Sequence, residues 1–193
     1  AGTGALANKT GGSNWGGAWD GGANDINAAG LSYASSGTLS VIGGKAMLKD
    51  SVSNFRNLAA TYSSGTYWVS FLAKSSAPGV NWGGVALFDG ANERLFVGQR
   101  YGQSQWGLER NGTGVTSTVN TGSVAFLVAR ITLQAGNDAV HLWVNPSLSG
   151  TPSDASGLLF GNLGDFSFNR IRAMHGLGGG QTLELDELRF GQS

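Results

Sequence analysis

Cysteine is absent from the 193 residues. No disulfide, no thiolate metal site and no thiol nucleophile therefore enters the account. A chain of this length buries about 70% of its unfolded surface and can hold a core without such staples. Charge is scarce too. Twelve basic and twelve acidic residues cancel and make up only 12% of the chain, about half the usual share. The four lysines are dispersed, so nothing gathers a polyanion. Nucleic acid and an anionic membrane are not expected as partners. No run of 18 apolar residues occurs, which leaves no candidate for a membrane-spanning helix. Helical periodicity is nearly missing as well: the best stretch, 54–60, is too short to weigh.

Glycine and aromatics are what the chain has in quantity. There are 33 glycines, six tryptophans, four tyrosines and nine phenylalanines, and 40% of residues are hydrophobic. That aromatic content argues against disorder. Apolar residues recur with period two, as in strands half-buried on one side. Over 66–74, Tyr67, Val69, Phe71 and Ala73 share one face and Trp68, Ser70, Leu72 and Lys74 the other. Over 125–133, Leu127, Ala129, Ile131 and Leu133 oppose Val128, Arg130 and Thr132. Over 139–145, Val140, Leu142 and Val144 oppose His141, Trp143 and Asn145. The turn signal Ala135-Gly136-Asn137-Asp138 joins the last two runs into a predicted hairpin. Further strands are predicted at 39–42, 46–48, 84–88, 95–98, 106–109, 166–173 and 182–190. Many short strands without intervening helices imply an all-β fold, an antiparallel double-sheet jelly-roll sandwich. The irregular stretches 1–30 and 146–164 are closely flanked by strands, so 1–193 is read as a single domain. The chain opens on Ala1-Gly2-Thr3-Gly4 rather than Met, which fits a mature or trimmed form.

Several stretches carry a resemblance. They are Tyr67-Trp68-Val69-Ser70-Phe71-Leu72, the run from Val85 through Phe88-Asp89-Gly90 to Glu93-Arg94-Leu95-Phe96-Val97-Gly98, and His141-Leu142-Trp143-Val144-Asn145-Pro146. Phe168-Asn169-Arg170-Ile171-Arg172 follows, and then the ending Leu185-Asp186-Glu187-Leu188-Arg189-Phe190-Gly191. In this order, over roughly 13–191, they resemble the concanavalin A-like, laminin-G-like lectin and glucanase sandwiches of secreted bacterial proteins. The resemblance implies a curved sheet whose concave face takes sugar, and a place of work outside the cytoplasm or at the cell surface. It also implies a structural calcium ion bridging the N-terminal segment and the last strand, with Asp186 as a ligand and Asp20 and Asp25 as N-terminal oxygen candidates. The fold hosts lectins, binding modules, hydrolases and lyases alike, so it does not settle activity.

The residues themselves narrow the choice. Sugar rings lay C–H patches on flat aromatic faces. Trp68 and Trp143 stand on the non-aliphatic face of their strands, with His141, Arg130 and Asn145 as hydrogen-bonding neighbours. These five are the expected ligand-binding set. Glu184-Leu185-Asp186-Glu187 resembles the carboxylate strand of retaining glycosidases, but Glu187 follows Asp186 directly and alternation turns it away. Leu183 and Leu185 are out of phase with Leu188 and Phe190, which predicts a bulge at Asp186 or Glu187. Glu93 and Glu109, on adjacent predicted strands, are the remaining acid–base pair. A lyase of this fold would need Tyr101, His141 and Arg130 brought together. The expected function is therefore a non-catalytic carbohydrate-binding or surface-adhesion module. A glycoside hydrolase or polysaccharide lyase, and a ligand-free structural module, are the alternatives.

Overall fold

The computed structural model describes residues 3–34, 37, 39–176 and 179–193, so Ala1 and Gly2 lie outside the described residues. Among them are fifteen strands: β1 (Gly4–Ala5), β2 (Asp20–Gly21), β3 (Asp25–Asn27), β4 (Lys45–Lys49), β5 (Ser53–Tyr62), β6 (Gly65–Ser75), β7 (Gly83–Asp89), β8 (Asn92–Gln99), β9 (Gln105–Arg110), β10 (Thr113–Asn120), β11 (Ala125–Leu133), β12 (Ala139–Val144), β13 (Leu158–Phe160), β14 (Phe168–His175) and β15 (Thr182–Gln192). One turn of 3-10 helix spans Asp154–Ser156. No helix among the described residues is long and apolar enough to cross a membrane.

The strands form two antiparallel sheets. The eight-stranded sheet runs β1-β3-β4-β15-β6-β11-β12-β13, and the seven-stranded sheet runs β10-β9-β8-β7-β14-β5-β2. Alternation builds the space between them. Tyr67, Val69, Phe71 and Ala73 of β6 and Leu127, Ala129 and Ile131 of β11 meet Val85 and Leu87 of β7, Val97 of β8 and Ile171 and Ala173 of β14 in one core. Register fixes these faces, because a slip of one residue would turn each strand's apolar set to water. The predicted hairpin forms with Leu127 opposite Val144 and Ile131 opposite Val140.

The expected bulge is present. The pairing of β15 with β6 shifts between Asp186 and Arg189, and Glu187 takes a positive φ of 50° there. Leu185 and Phe190 both reach the core as a result.

One predicted strand is absent, and one segment without a strand prediction is strand: residues 54–60 lie inside β5. Its alternation is hidden because the inward positions Asn54 and Arg56 are polar. Arg56 lies over the Trp15 ring at 4.5 Å and donates to the carbonyls of Gly17 (2.7 Å) and Gly11 (2.9 Å). The segment 39–42 is not a strand. Leu39 and Val41 instead pack as loop residues against Leu31, Leu72 and Phe126 on the outside of the eight-stranded sheet.

Candidate functional site

The outer face of the eight-stranded sheet is where the expected ligand set lies, and the structure closes it. Trp68 of β6 and Trp143 of β12 stack with centroids 5.8 Å apart, and His141 stacks on Trp143 at 5.6 Å. Arg130 lies 5.5 Å from the Trp143 ring, contacts His141 Nδ1 at 3.1 Å and pairs with Asp154 at 2.8 Å. Trp143 is only 2% exposed. Its indole N–H donates to the Ser153 carbonyl at 2.8 Å, and Gly157 packs so near the ring that a Cβ there would meet it at 2.8 Å. Asn145, with φ of 58°, accepts the Phe126 N–H at 2.9 Å through Oδ1. It shapes the turn into the covering loop.

The reading of Trp143 as an exposed platform is therefore corrected. The polar loop after β12 folds back and takes the ring N–H at Ser153 and packs Gly157 on the ring, while Trp68 and His141 stack on it from the strands. His141, Arg130 and Asn145 are engaged in holding that loop. Trp68 is half-buried, donates to Ser193 Oγ, and keeps one edge on an apolar cleft of about 330 Å³ beneath Pro146, Leu148 and Pro152.

The calcium set does not assemble as expected. Asp186 is buried and accepts N–H groups of Leu31 (2.7 Å) and Glu187 (2.9 Å), so its carboxylate pins the loop that opens at Leu31. Burial raises its pKa, against those two hydrogen bonds. Asp20 pairs with Arg170 at 3.1 Å, and Asp25 with Lys49 at 2.6 Å. Among the described residues no three His, Cys, Asp or Glu side chains gather as cation ligands. Nor does the glycosidase-like strand gather its carboxylates: Glu184 pairs with Lys45, and Glu187 accepts the Ile42 N–H and pairs with Arg189. Tyr101 stacks on Trp82 while His141 and Arg130 stack with Trp143, so the cluster that a lyase would need does not form.

The outer face of the seven-stranded sheet is built differently. Outward positions of five strands line up in one row: Phe55, Arg172, Ala86, Phe96 and Glu109 are successive cross-strand partners. Ala86, Phe88 and Phe96 form an apolar patch edged by Phe55, Trp82 and Met174. Two glycines let side chains lie flat on it. A Cβ on Gly98 would meet Phe96 Cζ at 3.0 Å, and one on Gly107 would meet Arg100 Cδ at 3.2 Å. Arg100 thus lies along the sheet and reaches Glu109 at 3.0 Å and Thr116 at 3.2 Å.

At the edge of this patch Trp82 and Tyr101 stack at 4.9 Å with their planes 28° apart. Tyr101 is 60% exposed. The Trp82 N–H donates to Glu109 Oε2 at 3.4 Å. Glu93 meets Arg172. Burial holds the Glu93 carboxyl above its usual range; the Arg172 charge opposes that and the nearby Glu109 charge adds to it. Sequence reasoning singled out Glu93 and Glu109 but missed Trp82 and Tyr101 as a pair. The signal available was weak: both sit in turns beside strand ends, where period-two alternation does not apply.

No protein-family model and no curated protein matches this chain. Solved structures do. The lectin UEA-II, in complex with galactose, is 11% identical with a TM-score of 0.51, and the match covers 96% of this chain and 95% of the lectin. A bifunctional GH43-CE protein from Bacteroides eggerthii is 12% identical with a TM-score of 0.52. The match covers 77% of this chain but spans only 22% of that protein. At such identities the likeness speaks for the fold alone: a concanavalin A-like β-sandwich, of a kind found in both lectins and glycan-active enzymes.

Proposed function

We propose that the chain is a non-catalytic carbohydrate-binding or surface-adhesion module, working at the cell surface or beyond it, with the glycan lying on the outer face of the seven-stranded sheet. The stack of exposed Tyr101 on half-buried Trp82, beside Glu109 and Arg100, carries this reading. A sugar ring presents C–H groups to an aromatic face and hydroxyls at its rim. A flat ring with fixed acceptors and donors beside it supplies both contacts. The site is shallow, so single-site affinity is modest and repetition along a polymer raises it.

The reading as a binding module rather than an enzyme is supported by the state of the two carboxylates. Glu109 is held by Arg100, and Glu93 by Arg172. One observation favours the enzyme instead: Glu93 has a raised pKa and feels the Glu109 charge, as a general acid beside a second carboxylate would. A panel of insoluble and soluble polysaccharides separates the two. Retention without release of reducing ends, abolished by Tyr101→Ala and Trp82→Ala, supports the module. Release of reducing ends that is lost in Glu93→Gln makes the chain a hydrolase. Retention of no polysaccharide leaves the ligand-free structural module.

A further inference from the structure

Two cations on the same face are given no contact with the glycan in the reading above. Arg170 and Arg172 stand two residues apart on β14 and leave the sheet on one side, about 7 Å from each other. Each guanidinium lies on a ring. The Arg170 Cζ is 3.9 Å from the Phe55 centroid, and the Arg172 Cζ is 4.8 Å from that of Phe88. The two rings meet edge to face at 5.5 Å. Stacking of this kind fixes where a planar cation points before any ligand arrives.

Both arginines are only partly used. Arg170 donates through Nη2 to Asp20, and Arg172 through Nη2 to Glu93. Their Nε atoms are buried without a partner, whereas Nη1 of each is neither buried nor bonded among the described residues. Asp20 lies on the two-residue edge strand β2 with its side chain 59% exposed, and such a rim pair is weak. The Glu93 side chain is 40% exposed, and burial disfavours its charged form against the pull of Arg172. Either carboxylate can therefore yield to one supplied by a ligand. A dense anion such as a sulfated polymer is a poor match, because the chain is neutral and its lysines are few.

We propose that Arg170 and Arg172 select carboxylate-bearing glycans, with successive uronic acid units of one polymer accepting from the unbonded Nη1 groups of the two guanidiniums. The proposal rests on the binding-module reading above and adds a ligand class to it. Three strand spacings, about 14 Å, separate the Arg172 position on β14 from Glu109 on β9 beside Trp82. A ligand that touches both the arginines and the Trp82–Tyr101 stack must be an oligomer.

The test is calorimetric titration with polygalacturonate and alginate oligomers, each beside its carboxyl-reduced form, at pH 6 and low salt. The native chain is expected to bind at least one acidic oligomer about tenfold more tightly than its reduced form. Half-molar salt should narrow that gap. Arg172→Gln and Arg170→Gln should bring the acidic oligomer to the affinity of the reduced one without changing the latter. Arg172→Lys keeps the charge should the glutamine variant misfold, and is expected to fall between. Equal affinity for acidic and reduced forms overturns the carboxylate preference and leaves the glycan reading intact. Binding of neither form, with neutral polysaccharides also failing, overturns both.

Discussion

The two sheets share a core but turn opposite kinds of surface to the outside. On the eight-stranded sheet, loops fold over the outward side chains and make a second apolar layer from Leu31, Leu72, Phe126 and their partners. The outward Trp143 is sealed within that covering, with its N–H satisfied by a loop carbonyl. On the seven-stranded sheet the covering layer is made by side chains lying flat on the strands; Tyr101 stays open to solvent, and Arg170 and Arg172 are partly exposed. Aromatic residues on the outward face of a strand are thus not evidence of a ligand platform. What decides is whether the next loop is long enough to return over them.

The comparison breaks most visibly at Trp143. Trp143→Ala should lower stability by about 3–5 kcal/mol, the usual loss on emptying a buried aromatic site. Glycan retention by the variant that still folds should match that of the native chain. Denaturant melts together with polysaccharide pull-down check both halves. Loss of retention with stability unchanged would reverse the roles assigned to the two faces.

Trp82 and Tyr101 should show the opposite pattern. Removal of one ring from the stack is expected to weaken glycan binding about tenfold, or about 1.4 kcal/mol. For Tyr101→Ala the melting midpoint should barely move, since exposed substitutions usually stay within about 0.5 kcal/mol. Affinity electrophoresis against a retained polysaccharide gives the first number and a thermal melt the second.

Much of this architecture was legible in the primary structure, and the reason lies in particular strands. β6 and β11 bury every second residue, so Tyr67 to Ala73 and Leu127 to Leu133 announced both strand and face. The bulge at Asp186 was visible as two leucine-bearing halves out of phase. β5 was hidden because its inward Arg56 is satisfied by a cation–π contact and loop carbonyls, which hydropathy does not register. β10, Thr113–Asn120, was missed because it is an edge strand with no fully buried residue. The site suffered more than the fold. Alternation told which face Trp68 and Trp143 occupy but not that residues 146–157 return over them.

Acid should separate the sheets a second time. His175 lies at the end of β14, fully buried, with Nδ1 2.8 Å from Asp50 and Nε2 unpartnered among the described residues. Burial lowers its pKa below the ordinary 6.5, although the Asp50 hydrogen bond opposes this. The unfolded chain then binds the proton more readily. Stability is complete above pH 6.5 and falls as pH drops toward the folded value, by at most about 1.4 kcal/mol per pH unit. Chemical denaturation at pH 7.5 and 5.5 should show the loss, and His175→Gln should flatten it. Hydrogen exchange should place the first opening at the end of β14 and not under the covered Trp143.

The smallest effect concerns Glu93, and its sign is informative. A folded pKa above the ordinary value means that the native state holds the ionised form less well than water does. Above the folded pKa this charge lowers stability; below it the carboxyl is protonated and the penalty disappears. Glu93→Gln should therefore raise stability at pH 7.5 by less than about 1 kcal/mol, because a side chain 40% exposed is well screened. At pH 4 the gain should vanish. A carboxylate kept where it weakens the fold is what a working surface contains; the arginine-held Asp154 of the other face has its pKa lowered by the Arg130 hydrogen bond, and Asp186 there, raised by burial, is committed to the Leu31 N–H. Urea midpoints at the two pH values decide the matter: a variant that is less stable at pH 7.5 would make Glu93–Arg172 a stabilising pair like those opposite, and would remove the asymmetry between the faces.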